Sequence, residues 1–353
     1  MWPNPRVPFE LASSRKKLSP PNDKPLIVHV VMNIEYWPFD KNMPRGILPP
    51  PHGKVSDPPD LPNYSWVEYG MRVGLPRLIK LLRENDIPVS AFINAQVAEI
   101  YPSAFKEVCD LNWELVGHGW FQESLRVVDN EELVIKKSLK LLRELSGQPV
   151  RSWFGPGGGE TENTPELLKD NGIEFLHDWL IDELPCWMRT KSGPLLAMPY
   201  TFELNDVPIW TVQNNSCDEM YKRVNATLEV FDEEKLSNTK IITLALHPHI
   251  VGVPQNFHYF KKTVLDLEVA KLHTRTTVKV PVIIERSKNS GPVVLLLAGI
   301  HGDETNGVGI IREIINLGIN KPKKGTIICI PVFNIFGYLI QTREFPDGRD
   351  LNR

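Results

Sequence analysis

The sequence predicts an α/β fold with parallel strands, because short apolar strands alternate with amphipathic helices along most of the chain. Residues 26–31 form an apolar run rich in β-branched side chains, and residues 87–93 form a second run. Between them, residues 75–85 carry apolar side chains at helical spacing. A helix that leads from one strand to the next is the connection that parallel strands require.

The later elements continue this alternation. Further helices are predicted at residues 129–147 and 164–172, and further strands at residues 174–177 and 241–246. Asp129 and Glu132 have the spacing of a capping box at the start of the first of these helices. The proline-rich stretch from Trp37 to about Asn63 is predicted to be a long loop, and such loops often cover functional sites.

The pattern changes near residue 265, which predicts a second domain. Strands are expected at residues 278–285, 293–298 and 327–332, with a helix at residues 307–317. We place the boundary at about residues 260–272. The expected organisation is an irregular segment over residues 1–25, a first domain over residues 26–262 and a second domain over residues 265–353.

Composition limits the classes of partner. The 353 residues carry a formal net charge of -3, which provides no basic field for nucleic acid. No apolar run reaches the roughly 18 residues that cross a bilayer, and residues 1–10 lack the apolar centre of a signal peptide. The four cysteines have no Cys-x-x-Cys spacing, which favours reduced thiols. A soluble, cytoplasmic protein without nucleic acid or membrane partners is predicted, and homo-oligomerisation is left open.

Polar side chains follow the predicted strands of the first domain. The strand at residues 241–246 ends in His247-Pro248-His249, and proline stops a strand there. Similar polar segments lie at residues 33–37, 117–122 and 151–155. In α/β barrels the carboxyl ends of the strands carry the catalytic groups. We therefore expect Glu35, His118, Arg151 and His247 to converge at one mouth of a barrel, although a hydrogen-bonded histidine pair in a structural loop is the alternative for His247 and His249.

These segments, in this order, resemble the polysaccharide deacetylase superfamily over about residues 26–260. The resemblance implies a deformed (β/α) barrel. In metal-dependent members a first carboxylate is the base, and a second carboxylate with two histidines holds the metal; the corresponding positions here are Asn33, Glu35, His118 and Gln122. An amide neither accepts a proton near neutral pH nor binds zinc well. The pattern is similar to the allantoinase-type branch, which hydrolyses a cyclic amide without evident need of metal.

On this interpretation His247 protonates the leaving nitrogen, Glu35 activates water, and Arg151 is a third catalytic group. Two alternatives remain open, since Glu35 and Arg151 could form an ion pair that holds a loop, and His118 could be structural instead of binding a metal. Other candidate substrate-binding residues of this domain are Asn33, Trp37, Trp120, Gln122, Trp153, Trp187 and His249. The tryptophans could equally be core residues. His29 and His177 are predicted to be core histidines.

A second constellation lies in the carboxy-terminal domain. His301 and Glu304 follow an apolar strand at a spacing that allows both to bind one zinc ion. With the Asp-Leu-Asn-Arg sequence at residues 350–353, this turn resembles the succinylglutamate desuccinylase/aspartoacylase family of zinc deacylases. The resemblance implies that Asn352, Arg353 and Arg343 hold a substrate carboxylate. The family's third zinc ligand and catalytic glutamate lie beyond this motif, so we expect an incomplete zinc site and a truncated domain, or a joined reading frame.

The sequence therefore predicts a hydrolase of carbon–nitrogen bonds in a small-molecule or saccharide amide, centred on the first domain, with metal in that barrel left open. One alternative is a zinc-dependent N-acyl amino acid deacylase that uses a completed second domain. Another alternative is a non-catalytic barrel that binds a carbohydrate or small ligand, in which Asn33 and Gln122 mark lost chemistry.

Overall fold

The computed structural model describes residues 3–20, 25–47, 58–234, 238–265, 270–271, 277–278, 280–345 and 349–350. The chain divides into two compact units, Met1–Val264 and Leu265–Arg353. No helix in the described ranges is long and apolar enough to cross a membrane.

The first unit is built from eight strands and eight α-helices within its described ranges. The strands are β1 (Leu26–Ile34), β2 (Val89–Ile93), β3 (Glu114–Gly117), β4 (Ser152–Trp153), β5 (Phe175–Leu176), β6 (Cys186–Met188), β7 (Leu195–Ala197) and β8 (Lys240–Leu246). The helices are α1 (Leu61–Tyr69), α2 (Leu75–Glu84), α3 (Val97–Ile100), α4 (Pro102–Asp110), α5 (Glu131–Ser146), α6 (Thr164–Asp170), α7 (Glu219–Glu234) and α8 (Pro254–Leu265). Short π-helical segments occupy Gly70–Gly74 and Val207–Val212.

The eight strands form one sheet in the order β6-β7-β5-β4-β3-β2-β1-β8. All neighbouring pairs are parallel except β6 and β7. The sheet curls into a half barrel, as the resemblance to the deacetylases implied. Because side chains alternate along a strand, Val31 and Glu35 of the β1 segment point to the inner face. An apolar cluster that includes Val31, Phe92 and Phe154 fills the middle of that face.

Helix α5 illustrates what its sequence determines locally. The helix was predicted at residues 129–147 and lies at Glu131–Ser146. Its cap differs from the prediction: Asn130 is the N-cap, and its side chain accepts a hydrogen bond from the backbone N–H of Leu133. At the other end Gly147 adopts φ 70°, a left-handed conformation that glycine reaches without strain. The capping box of Asp129 and Glu132 was therefore wrong by one residue.

Residues 3–20 lack long secondary structure, but they pack on the first unit. Val7 is buried, Arg6 pairs with Glu166 at 2.9 Å, and Arg15 pairs with Asp182 at 2.7 Å. The irregular amino-terminal segment is thus part of this unit and not a free extension.

The second unit contains a three-stranded sheet, with further elements around it. Its strands and helices are β9 (Ala270–Lys271), β10 (Thr277–Val278), β11 (Ile283–Arg286), β12 (Val293–Leu297), β13 (Thr326–Ile330), α9 (Thr305–Asn316) and α10 (Ile335–Ile340). The sheet order is β11-β13-β12, and only β12 and β13 are parallel. The strand predicted at 278–285 starts late, at Ile283, because Pro281 has no N–H for the ladder.

Candidate active site

A cavity of about 880 Å³ opens at the carboxyl ends of the strands in the first unit. Glu35 follows β1, His118 follows β3 and His247 follows β8, and all three line this cavity. The prediction that these three side chains meet at one mouth of the barrel is confirmed. Parallel strands bring them together, because the residues that follow such strands share one edge of the sheet.

The Glu35 carboxylate lies at the centre of the cluster. Its Oε1 is 3.5 Å from Nε2 of His118 and 3.4 Å from Nε2 of His247. Gln122 Nε2 donates to Oε1 at 2.9 Å, and Trp37 Nε1 donates to Oε2 at 2.7 Å. Burial raises the pKa of Glu35, but the charge and the hydrogen bond of His247 outweigh burial and hold this pKa well below its usual range. Glu35 is therefore ionised.

His247 is held from behind by Asp206. Asp206 Oδ1 lies 2.6 Å from Nδ1 of His247, and its Oδ2 accepts the His247 backbone N–H at 2.6 Å. Burial lowers the pKa of His247, but Asp206 and then Glu35 raise it to about 10. His247 is thus an imidazolium whose Nε2–H faces Glu35. Sequence reasoning missed Asp206, because it lies on the segment between β7 and α7 and reaches His247 only through the fold.

Asp206→Asn is expected to lower the pKa of His247, because it removes the carboxylate that contributes most to raising this pKa. In the native protein the folded-state pKa of about 10 lies above the unfolded value of about 6.5. Protonation of His247 therefore stabilises the fold fully below pH ~6.5, and this contribution is lost as pH rises towards 10. NMR titration of the His247 ring measures this pKa in Asp206→Asn, and an unchanged value would contradict the expectation. His258→Gln, at an exposed position on α8, is the control and should leave the His247 pKa unchanged.

His118 is fixed in one tautomer. Its Nδ1 lies 2.6 Å from the carbonyl oxygen of Phe154, and a carbonyl only accepts, so Nδ1 carries the proton. The Phe154 ring stacks on the imidazole, with a centroid separation of 5.4 Å. The buried Nε2 of His118 has no hydrogen-bond partner among the described residues. Asn33 is similar, since its Nδ2 donates to the Leu246 carbonyl, while its buried Oδ1 has no partner in the part of the chain that the structure describes.

The donor set of this cavity does not fit a catalytic metal. Gln122 turns its nitrogen towards Glu35, and its oxygen, the only atom of that amide able to ligate, accepts from Asn94 at 3.2 Å. His247 carries a proton on Nε2 and has no lone pair to offer there. Within the ranges that the structure describes, no group of three His, Cys, Asp or Glu side chains could hold a metal ion. His118 and Glu35 alone leave a site short of the three protein ligands of catalytic zinc.

His249 lies in the same cavity but has a different environment. Burial lowers its pKa to about 3, so this imidazole is neutral. Its ring contacts Trp37 and Trp66 edge-on, and Trp66 Nε1 donates to its carbonyl oxygen at 2.8 Å. A Cβ at Gly70 would lie 2.5 Å from the His249 Cβ. Only glycine therefore lets the π-helical segment Gly70–Gly74 approach the His247-Pro248-His249 loop. His249 is an uncharged part of the wall.

Arg151 is not at this site, and its predicted convergence with the other three residues was wrong. Its guanidinium is exposed and pairs with Glu174 at 3.4 Å. Arg151 precedes β4, so it lies at the amino ends of the strands. The mouth of the cavity lies at the other end of the same strands. The alternative ion pair of Glu35 with Arg151 is excluded for the same reason.

Of the four candidate tryptophans, Trp37 alone lines the cavity. Trp153 is fully buried in the core, Trp187 is 65% exposed on β6, and Trp120 packs on the core beside Lys137, whose Nζ lies 4.3 Å from its ring. The predicted aromatic wall is therefore wrong for these three.

Trp153→Ala is expected to destabilise the first unit by about 3–5 kcal/mol, the usual cost of deleting a buried aromatic ring. The ring packs on Gly117, whose added Cβ would lie 2.6 Å from it, and no smaller side chain fills that space. Denaturant unfolding measures the loss. Trp187→Ala, an exposed tryptophan of the same unit, is the matched control, and equal stability of the two variants would contradict the assignment of Trp153 to the core.

The second unit brings together a different cluster. His301 Nδ1 lies 3.0 Å from Glu304 Oε1, and its Nε2 lies 2.9 Å from Asp350 Oδ1. Arg343 Nε is 3.0 Å from Asp350 Oδ2. The hydrogen bond of Asp350, outweighing burial, raises the pKa of His301. Asn352 and Arg353 lie outside the described residues.

Two family models match the chain. The polysaccharide deacetylase model matches residues 63–176, and the succinylglutamate desuccinylase/aspartoacylase catalytic domain model matches residues 290–353. The predicted resemblance to both families is therefore confirmed, each over part of the chain.

Two relatives match parts of the chain. A polysaccharide deacetylase of Schizosaccharomyces pombe is 28% identical over 220 residues, which are 56% of this chain and 68% of that protein. The peptidoglycan deacetylase of Helicobacter pylori is 25% identical over 136 residues, which are 38% of this chain but only 46% of that protein. These relatives support the prediction of a hydrolase that acts on carbon–nitrogen bonds.

Solved structures share the fold of most of this chain. An allantoinase is 23% identical with a TM-score of 0.64, and 75% of this chain covers 90% of it. A polysaccharide deacetylase of Pseudomonas aeruginosa is 24% identical with a TM-score of 0.62, and 71% of this chain covers 87% of it. At these identities the similarity establishes the barrel and not the reaction.

Proposed function

We propose that the first unit hydrolyses an amide carbon–nitrogen bond with Glu35 as base and His247 as acid, without a catalytic metal. The observation that carries this proposal is the buried pair itself. A carboxylate and an imidazolium lie 3.4 Å apart, both facing the cavity, and Asp206 orients the imidazolium from behind.

The chemistry follows from the protonation states. Glu35 accepts a proton from a water molecule while the water oxygen bonds to the amide carbon. His247 donates its Nε2 proton to the leaving nitrogen as the carbon–nitrogen bond breaks. The products are a carboxylic acid and an amine. Proton transfer from Glu35 to Nε2 of His247 then restores both groups, since the two atoms are neighbours. Gln122 and Trp37 each donate a hydrogen bond that keeps the carboxylate in place.

The finer assignment is a site of the allantoinase type that takes a cyclic amide. Gln122 supports it, because the amide stands where the resemblance places a metal-binding histidine and instead donates to Glu35. The two deacetylase relatives favour an N-acetylated saccharide as the competing substrate class.

Turnover of allantoin and of N-acetylglucosamine oligomers by the full chain, each with and without EDTA, distinguishes these possibilities. We expect hydrolysis that EDTA does not reduce. Activity that EDTA abolishes and zinc restores would overturn the metal-free mechanism, and no turnover of either substrate class would favour the non-catalytic alternative.

The second unit supports a separate candidate function, a zinc-dependent deacylase of N-acyl amino acids. The supporting observation is the match of residues 290–353 together with the proximity of His301 to Glu304. His301 and Glu304 would hold the zinc, which would supply an activated water molecule. Two protein ligands make a weak site, so calorimetric titration of the full chain is expected to detect only weak zinc binding that His301→Ala removes. A tight stoichiometric site would identify a further ligand, with Asp350 the first to replace.

A further inference from the structure

A second cavity of about 940 Å³ lies at the amino ends of the strands in the first unit. It is lined by His29 of β1, Ser90 of β2, Glu114 of β3 and Ser152 just at the start of β4, which are neighbouring strands in the sheet. His29 and Glu35 lie on the same face of the β1 segment, with the apolar cluster around Val31 between them. This cavity is therefore separate from the candidate active site.

The hydrogen bonds around this cavity use the protons of its serine hydroxyls, so the polar atoms left facing the cavity are mainly acceptors. Ser90 Oγ donates to Glu114 Oε2 at 2.9 Å, and Ser152 Oγ donates to Glu114 Oε1 at 2.8 Å. Because the only hydroxyl proton of Ser90 goes to Glu114, the 3.0 Å contact between His29 Nε2 and Ser90 Oγ requires His29 to be the donor. Neutral His29 then carries a lone pair on Nδ1. The serine protons point to a carboxylate, so this is no arrangement for an activated serine nucleophile.

His177 adds an imidazole with unused capacity. It lies beside His29, with ring centroids 5.7 Å apart, and contacts Phe92 at 4.9 Å. His177 is 4% exposed, and none of the described residues forms a hydrogen bond with its buried Nδ1. Burial lowers the pKa of both histidines. Both rings are therefore neutral and add no positive charge to the cavity.

The charges around the cavity leave one carboxylate in excess. Arg83 and Arg151 line it on the basic side, and Asp86, Asp110 and Glu114 line it on the acidic side. Lys106 pairs with Asp110 and Glu174 pairs with Arg151. With these partners counted, three positive and four negative groups among the described residues give a formal charge of -1. Glu114 is the member of this set that the serine hydroxyls hold in place.

We propose that this cavity is a second small-molecule site and that it binds a primary amine. An ammonium group has three donors and no acceptor, which complements Glu114, the serine oxygens and His29 Nδ1. The apolar part of the amine lies against the aliphatic and aromatic side chains of the same cavity, such as Ile87 and Phe175. The site does not depend on the proposed reaction, since none of its residues lines the first cavity.

Three probes with a short alkyl chain and different polar ends test the proposal on the full chain: n-butylamine, n-butanol and butyrate. Nitrogen-15 NMR of the histidine rings follows each titration in the unmodified protein. We expect n-butylamine to shift the ring signals of His29 and His177 in a saturable manner and to leave His247 unchanged. Equal binding of n-butanol, or preferred binding of butyrate, would overturn the assignment of an amine, and the absence of any saturable shift up to millimolar concentrations would overturn the site.

A pair of matched variants locates the contact. Glu114→Gln keeps one oxygen, which accepts from one of the two serine hydroxyls, and removes the charge. It is expected to weaken n-butylamine binding by about tenfold or more, the loss of one hydrogen bond to a charged group. Glu174→Gln is the control, because this exposed carboxylate pairs with Arg151 and does not line the cavity. Retained affinity in Glu114→Gln, or affinity lost in Glu35→Gln instead, would place the amine elsewhere.

Discussion

His247→Asn is expected to lower turnover of the amide substrate by roughly 10²- to 10⁴-fold, the contribution of a positioned general acid. Asparagine cannot titrate near neutral pH, so the leaving nitrogen has no proton donor, while the amide still fills part of the buried space beside Asp206. Steady-state kinetics measure the effect, and circular dichroism checks that the fold is retained.

The control for His247 is Arg151→Ala. Sequence reasoning placed Arg151 among the catalytic groups, but the structure places it at the far ends of the strands, so the variant is expected to keep native turnover. Native turnover in His247→Asn would remove His247 from the mechanism. A large loss in Arg151→Ala would mean that the site extends to the opposite end of the sheet.

Glu35→Gln is expected to lower turnover by a similar factor of roughly 10²- to 10⁴-fold, because the amide cannot accept the proton of the attacking water. The replacement has the same shape and keeps an oxygen that accepts from Trp37. It also removes one of the two charges that raise the pKa of His247, so the NMR-measured pKa of His247 should fall in the same variant.

Glu123→Gln is the control for Glu35, since it removes a carboxylate at the rim of the same cavity. Glu123 forms a long ion pair with Lys41, with 3.9 Å between Oε1 and Nζ. We expect a small change in KM and native kcat in that variant. If Glu35→Gln retained kcat while its KM rose, Glu35 would bind the substrate and would not act as the base.

Much of the architecture could be predicted from local sequence. The alternation of apolar strands with amphipathic helices predicted a parallel α/β sheet, and it placed β1, β2, β8, α2 and α5 within a few residues of their observed positions. The reason is that hydrophobic periodicity and capping residues act over one or two turns of chain. Errors arose at single residues with competing local partners, as at the Asn130 cap of α5.

The candidate site was predicted in outline for a similar reason. Glu35, His118 and His247 each follow an apolar strand, and parallel strands bring such residues to one edge. The same argument gave the wrong position for Arg151. Strand β4 begins at Ser152, so Arg151 precedes the strand and lies at the amino ends of the strands.

The sequence by itself therefore determined the sheet, the two-part organisation and the side chains that meet at the carboxyl ends of the strands. Only the tertiary structure decided their protonation. The pKa of His247 depends on Asp206, 41 residues away in sequence. Gln122 shows its role only once its nitrogen is seen to face Glu35. The amino-end cavity around Glu114 is likewise a property of the assembled sheet, since four separate strands supply its polar wall. Charges and hydrogen bonds act across space, and the periodicity of one segment carries no information about them.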